Sequence, residues 1–186
     1  ALHRVAEAAP SIAMATRGGY GLTRLLDRID TRLLRANPKP FIGFSDITAL
    51  QLALFRKTGL VSFSGPLGAV EFASTPDPET EESLWRLVTS RRTRGRLPLP
   101  ENHPLQTRQV GVGEGPLLGG CLSLVVALLG TPFSPNYSGA VLALEDVHGC
   151  HFSASSLEKR GDCIYRFRHF HDFAIEIFGQ QRLGQI

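Results

Sequence analysis

The sequence predicts an α/β fold with a parallel sheet in its first half, and three observations support this class. Short apolar runs at 11–16, 41–44 and 60–66 have the length and composition of buried strands. Segments with helical periodicity lie between or after these runs, at 22–36 and 46–57. Strands that alternate with helices at this spacing are typical of a parallel sheet, because parallel neighbours need a long crossover connection.

Composition and charge limit the classes of protein to consider. The chain has 186 residues, of which 42% are apolar, which is enough for the core of one ordinary domain or two small ones. A net charge of +3 is too small to indicate a nucleic-acid partner. We expect no membrane partner, because no apolar run could span a bilayer. The lack of a signal peptide and of a CxxC pair predicts a cytoplasmic location.

No cofactor or metal is predicted. The glycine-rich stretch 111–120 would need a glycine at Pro116 to match a dinucleotide-binding loop, so a simple turn is the better interpretation. Histidines and cysteines are frequent after residue 147, but their spacing matches no standard zinc module.

The helices of the first half carry recognisable end signals. The helix over 46–57 is expected to end at Gly59, because glycine readily adopts the left-handed conformation at a helix C-terminus. Another helix is expected to begin at Asp77, an N-cap residue, with Pro78 in its first turn. Leucine and isoleucine recur at helical spacing in 22–36, which predicts one continuous helix there.

The second half predicts a smaller α/β unit. The stretch 115–120 is typical of a glycine turn, 121–130 predicts a buried helix that Gly130 stops, and 139–146 predicts a strand. Before this unit lies 90–108, which is rich in arginine and proline and has no sustained periodicity. We interpret it as a solvated interdomain linker.

Linker and composition together divide the chain. We expect an N-terminal domain at 1–89, a partial C-terminal domain at 109–150 and a distinct tail at 151–186. The chain does not begin with methionine, as is expected of a fragment.

Ser45 is the residue with the most suggestive local setting. It stands where a predicted strand turns into a predicted helix, and a helix N-terminus offers free N–H groups to a developing anion. A capping serine is the commoner explanation of such a residue, and the pattern G-x-S-x-x-T lacks the second glycine of a hydrolase elbow. Local sequence alone therefore favours the cap.

Four separated motifs change that balance. "RGGYGLTRLLDRID", "NPKPFIGFSDITALQLAL", "TGLVSFSGP" and "GPLLGGCLSLVVALLGTPFSPNYSGAVLALEDV" resemble the LD-carboxypeptidase family of serine peptidases, in the same order. The resemblance implies that Ser45 is the nucleophile and that Glu145 is the triad carboxylate, which orients a histidine. It also implies an oxyanion hole made by the amides of Asp46 and Gly19. These roles agree with what a hydroxyl nucleophile requires.

The same resemblance implies a substrate and a setting. The expected reaction is hydrolysis of the L,D-amide before the terminal D-Ala of cytoplasmic muropeptides, in peptidoglycan recycling, by an enzyme that forms a homodimer. Arg17 is a candidate cation for the terminal carboxylate, although an arginine at a strand end is more often a surface residue. A sister branch of the family cleaves peptide–nucleotide antibiotics, which is an alternative activity. The non-enzymatic alternative is a catalytically inactive remnant of the family or a ligand-binding domain.

The sequence also departs from the family. Ser64 replaces the histidine of an "HGP" motif, and Cys121 replaces the asparagine that usually follows "GG". The family usually has a further strand–helix segment before residue 1, so we expect the first strand of the sheet to be missing. After Val147 the sequence no longer resembles the family, and the triad histidine has no counterpart. A change of reading frame near residue 148 is our hypothesis for the tail, and we expect impaired catalysis.

Overall fold

The computed structural model describes residues 1–90 and 112–145, together with the backbone of two later strands. The helices are α1 (Leu2–Glu7), α2 (Thr31–Ala36), α3 (Ile47–Thr58), α4 (Pro78–Thr89) and α5 (Leu122–Leu128), with a 3₁₀ helix at Leu22–Arg28. The strands are β1 (Ala13–Met14), β2 (Phe41–Ile42), β3 (Ser62–Ser64), β4 (Leu117–Cys121), β5 (Val141–Glu145), β6 (Ile164–Phe167) and β7 (Ile175–Ile177).

The strands form two sheets. The first has the order β1-β2-β3-β7, in which β1, β2 and β3 are parallel and β7 is antiparallel to β3. The second has the order β4-β5-β6 and is parallel throughout. The predicted α/β class with a parallel sheet is therefore confirmed.

Helix α3 is the central element of the core. Every residue from Thr48 to Leu54 is buried, so this helix has apolar neighbours on several sides. Leu52 belongs to a cluster that includes Leu118 and Leu142 from the second sheet. Leu54 belongs to another cluster, with Phe41 of β2. The helix that follows Ser45 is consequently held by both halves of the described chain.

The helix ends predicted from local signals are confirmed. Gly59 adopts a left-handed conformation with φ of 73° after the last residue of α3. The carboxylate of Asp77 accepts a hydrogen bond of 2.8 Å from the Thr80 amide, and Pro78 opens α4. Both signals act within one helical turn, which is why the sequence is sufficient to predict them.

The single helix predicted over 22–36 is wrong. The structure has a 3₁₀ helix, Leu22–Arg28, and then α2. Ile29 is extended between them, and Oδ1 of Asp30 accepts hydrogen bonds of 3.0 Å from the amides of Arg32 and Leu33. Aspartate therefore starts a new helix at a position where apolar periodicity suggested continuity.

The glycine turn predicted at 115–120 is also wrong, because β4 occupies most of it. Leu117 to Cys121 pair residue for residue with Val141 to Glu145. A Cβ on Gly119 would collide with the carbonyl oxygen of Ala143, so close approach of the strands requires glycine here. Helix α5 is shorter than predicted and partly exposed, whereas β5 confirms the strand predicted at 139–146.

Several predictions fall outside the described residues. They include nearly all of the linker at 90–108 and the tail at 151–186 apart from the backbones of β6 and β7. The domain boundaries remain predictions.

Candidate active site

Ser45 has a strained backbone rather than the geometry of a helix cap. Its φ is 61°, and it is the sole residue other than glycine with positive φ in the described ranges. An N-cap residue normally has extended dihedral angles, and here Asp46 occupies the N-cap position of α3. A left-handed conformation costs an L-residue about 1–2 kcal/mol. Such a strained turn from strand to helix is the geometry that presents a nucleophilic serine.

Gly43 allows the chain to make this turn. A Cβ at Gly43 would lie 3.0 Å from Cβ of Ala15 and 3.1 Å from the Cγ atoms of Ile47. A side chain at this position would force Ala15, which follows β1, or Ile47, the first residue of α3, to shift by a few tenths of an ångström. Glycine at position 43 therefore avoids crowding in the turn that precedes Ser45.

A buried glutamine in α3 supports the same turn, and the sequence motifs did not indicate its role. Gln51 is fully buried in α3, and its Nε2 donates hydrogen bonds of 2.8 Å to the Gly43 carbonyl and 2.7 Å to the Phe63 carbonyl. One amide group thus joins Gly43, just after β2, and Phe63, within β3, to α3. The sequence offers one signal for this role: Gln51 is a polar residue within the apolar run after "GFSDIT", and a buried polar residue needs hydrogen-bond partners.

The loop after β1 lies against Ser45. A Cβ at Gly18 would be 3.1 Å from both Cβ and Oγ of Ser45 and 3.9 Å from the Asp46 nitrogen. Gly18, which the motifs did not single out, is therefore a loop glycine packed on the serine. A Cβ at Gly19 would meet no atom within 4 Å, so the space beside this residue is open. Arg17 is exposed at the start of the loop.

Asp46 connects the same loop to α3. Its side chain is buried, and Oδ2 accepts a hydrogen bond of 3.1 Å from the amide of Leu22, where the 3₁₀ helix begins. The carboxylate therefore has a structural partner, while the backbone N–H lies at the start of α3 next to Ser45.

Glu145 is the last residue of β5 and is buried, with 6% of its surface exposed. It lies opposite Cys121 in the register of β4 and β5. Burial raises the pKa of the half-buried Cys121 thiol, and the charge of Glu145 raises it further, whereas a hydrogen bond of 3.0 Å with Ser123 Oγ opposes both effects. Glu145 thus places a negative charge beside the end of β4.

The first turn of α3 contacts this second strand end. Oγ1 of Thr48 accepts a hydrogen bond of 3.1 Å from the Cys121 amide. Ser45 lies three residues before Thr48, and Glu145 is the strand neighbour of Cys121. The structure therefore brings the termini of β2 and β5 to the same end of α3.

The described residues with side chains include one histidine, and it is not beside Ser45. Nε2 of His3 accepts a hydrogen bond of 2.9 Å from the Asp30 amide, between α1 and α2. The histidines of the tail lie outside the described residues, and so does Asp146. Ser64 is buried at the end of β3.

The described part of the chain shows neither a metal-binding cluster nor a membrane-spanning helix. Within the described ranges, no set of three or more His, Cys, Asp or Glu side chains could bind a metal ion. Nor does any helix of those ranges have the length and apolar character needed to cross a membrane.

Known proteins resemble the chain along most of its length. The LD-carboxypeptidase N-terminal domain matches residues 2–65, and the LD-carboxypeptidase C-terminal domain matches residues 114–163. The second match continues beyond Val147, where we expected the resemblance to end. A Bacillus subtilis protein named "Probable murein peptide carboxypeptidase" is 39% identical over 134 residues, covering 70% of this chain and 40% of that protein. The microcin C7 self-immunity protein MccF of Escherichia coli is 29% identical over 196 aligned positions, covering 91% of this chain and 56% of that protein.

A solved structure gives the same result for the fold. Muramoyltetrapeptide carboxypeptidase from Oxalobacter formigenes superposes with a TM-score of 0.75 and 27% sequence identity. The superposition covers 95% of this chain and 75% of that structure. The chain spans less than half the length of the Bacillus subtilis relative.

Proposed function

The chain belongs to the LD-carboxypeptidase family, and from this membership we propose that it carries the nucleophile and the acid of a serine-type carboxypeptidase acting on muropeptides. Ser45 is the nucleophile and Glu145 the triad carboxylate in this proposal. Its substrate is a peptide that ends in D-Ala, and the bond cleaved is the L,D-amide before that residue.

The observation that carries the proposal is the conformation of Ser45. A cap would have no reason to keep a left-handed backbone, whereas a nucleophile gains exposure of its hydroxyl from that strain. Gly43, Gln51 and Gly18 surround this one residue and hold the turn. Strain supported from several sides is characteristic of functional positions.

The chemistry of the proposed reaction follows from the Ser45 hydroxyl. Its oxygen attacks the carbonyl carbon before D-Ala while a base takes its proton, and the carbonyl oxygen becomes an anion. The C–N bond then breaks, the proton passes to the D-Ala amine, and an ester remains on Ser45. Water hydrolyses this ester, which releases the shortened peptide and regenerates the hydroxyl.

The anion needs backbone N–H donors, and we assign this role to the amides of Asp46 and Gly19. The Asp46 amide lies at the start of α3, and the space beside Gly19 is open. Arg17 begins the same loop and is exposed, so we assign it to the terminal carboxylate of the peptide.

The resemblance to the family implies that the base is a histidine. We do not assign this role to a residue of this chain. Losing the base of a serine triad lowers turnover by about six orders of magnitude in a well-studied protease. We therefore expect slow turnover by this chain, and the alternative is a non-catalytic domain that keeps the ligand-binding surface.

The physiological setting is part of the same proposal. We place the protein in the cytoplasm, in peptidoglycan recycling, as a homodimer without a nucleic-acid or membrane partner. A second substrate class is favoured by one observation: the alignment with MccF extends over 91% of this chain. A peptide–nucleotide conjugate is therefore the second substrate to test.

The deciding experiment compares the chain with its Ser45→Ala variant. Both proteins are incubated for hours with a tetrapeptide ending in D-Ala and, separately, with a peptidyl nucleotide, and the products are quantified by mass spectrometry. We expect D-Ala release by the unmodified chain only. Equal rates for both proteins would overturn the enzymatic proposal, and faster cleavage of the nucleotide conjugate would favour the second substrate.

A further inference from the structure

Thr48 is the residue that contacts both parts of the proposed active site. It is fully buried in the first turn of α3. Its amide donates a hydrogen bond of 3.0 Å to the carbonyl oxygen of Ser45. Its hydroxyl oxygen accepts one of 3.1 Å from the amide of Cys121, which lies opposite Glu145 in the paired strands.

The neighbouring strand is shaped to fit this hydroxyl. A Cβ at Gly120 would be 2.5 Å from Oγ1 and 2.9 Å from Cγ2 of Thr48, and Gly120 has a φ of 113°. Both the space and the backbone conformation therefore require glycine at this position. Close approach of β4 to the start of α3 is what brings the Cys121 amide within hydrogen-bond distance.

From these contacts we propose that Thr48 is a positioning residue, which fixes the Ser45 turn relative to the strand end that carries Glu145. This inference rests on the proposed function, since it concerns the alignment of that nucleophile and that acid. Ser45 follows β2 of the first sheet and Glu145 ends β5 of the second, and β2 and β5 have no common neighbour among the described strands. Helix α3 contacts both strand ends, and Thr48 provides a direct polar contact between them.

The expected effect is on turnover and not on substrate affinity. Misplacing a catalytic group by about 1 Å costs about 10²-fold in rate. In Thr48→Val the side chain keeps its shape but no longer accepts the hydrogen bond from Cys121. We expect kcat to fall about 10- to 100-fold with KM within about twofold of the unmodified chain. Thr48→Ser retains the hydroxyl and is expected to restore most of kcat.

Thr58 offers a matched control in the same helix. Its hydroxyl also accepts a hydrogen bond of 3.1 Å from a backbone amide, that of Leu60, but at the opposite end of α3. Thr58→Val removes this contact far from Ser45, together with the hydrogen bond of 2.6 Å that the hydroxyl donates to the Leu54 carbonyl. We expect it to lower the melting temperature at least as much as Thr48→Val does while leaving kcat near that of the unmodified chain.

The experiment measures D-Ala release, kcat, KM and melting temperature for the unmodified chain, Thr48→Val, Thr48→Ser, Thr58→Val and Ser45→Ala. A fall of kcat confined to Thr48→Val supports the inference. Equal kcat losses in Thr48→Val and Thr58→Val, or an unchanged kcat in Thr48→Val, would overturn it while the proposed function stands. Equal rates for the unmodified chain and Ser45→Ala would overturn the proposed function and, with it, this inference.

Discussion

The two strand ends at the proposed active site obtain their geometry in different ways. At the end of β2, Ser45 has a left-handed backbone that small neighbours and the buried Gln51 hold in place. At the end of β5, Glu145 continues a regular strand paired residue for residue with β4, and its surroundings are set by burial and charge. The nucleophile end should therefore respond to changes of volume, and the acid end to changes of charge.

The largest expected effect is that of added volume at the nucleophile end. In Gly43→Ala the new methyl group lies 3.0–3.1 Å from Ala15 and Ile47. Overpacking of this kind should lower the free energy of unfolding by about 2–3 kcal/mol, which urea denaturation measures. Gly68→Ala is the control, because its nearest contact would be an ordinary 3.6 Å to Met14. Similar stabilities for the two variants would refute the packing role of Gly43.

Removal of the buried amide should have a smaller effect at the same end. Gln51→Leu deletes two hydrogen bonds, to the carbonyls of Gly43 and Phe63. Each of these carbonyls also accepts a backbone N–H, from Gly65 and Gly43 respectively, so neither loses every donor. We expect the free energy of unfolding to fall by about 1–2 kcal/mol in urea denaturation.

A variant that loses one hydrogen bond provides a reference for this loss of stability. Asn37→Ala removes one hydrogen bond of 3.0 Å to the Leu33 carbonyl, where α2 ends. Its expected loss is about 0.5–1 kcal/mol. An effect of Gln51→Leu no larger than that of Asn37→Ala would argue against Gln51 as the support of the turn.

At the acid end, the pKa of the Cys121 thiol should respond to the charge of Glu145. Burial and then the Glu145 charge raise the pKa of Cys121, so neutralising the acid should lower that pKa. In a chain with Cys150→Ser and Cys163→Ser, adding Glu145→Gln should raise the rate of iodoacetamide alkylation at pH 8 by about two- to fivefold, because more thiolate is present. Adding Ser123→Ala instead should slow it. An unchanged pH profile in Glu145→Gln would contradict the proximity of the two side chains.

Local signals predicted much of the fold, and non-local pairing explains the errors. The cap at Gly59 and the start at Asp77 depend on one helical turn, and both are confirmed. The turn expected at 115–120 is a strand because it pairs with β5, more than twenty residues away along the chain. Gly119 and Gly120 suggest a turn in the sequence. In the structure, Gly119 allows β5 to lie close to β4, and Gly120 allows α3 to do so.

The candidate site shows the same division. Ser45, Asp46 and Glu145 were identified from motifs that stand in the sequence. Gln51, Gly18 and Thr48 also lie within those motifs, but their roles could not be assigned from the sequence, because each acts on a residue of another element. Gln51 and Thr48 lie within an apolar helix and Gly18 within a glycine-rich loop, so only their tertiary contacts distinguish them.

The most direct test of the central claim, that Ser45 is a strained nucleophile and not a cap, is the stability of Ser45→Gly. Glycine adopts a φ of 61° without strain. We expect the free energy of unfolding to increase by about 0.5–1 kcal/mol and D-Ala release to cease. Asp30→Gly, at a true N-cap with two side-chain hydrogen bonds, should instead lose stability. A loss of stability in Ser45→Gly with D-Ala release retained would contradict the account.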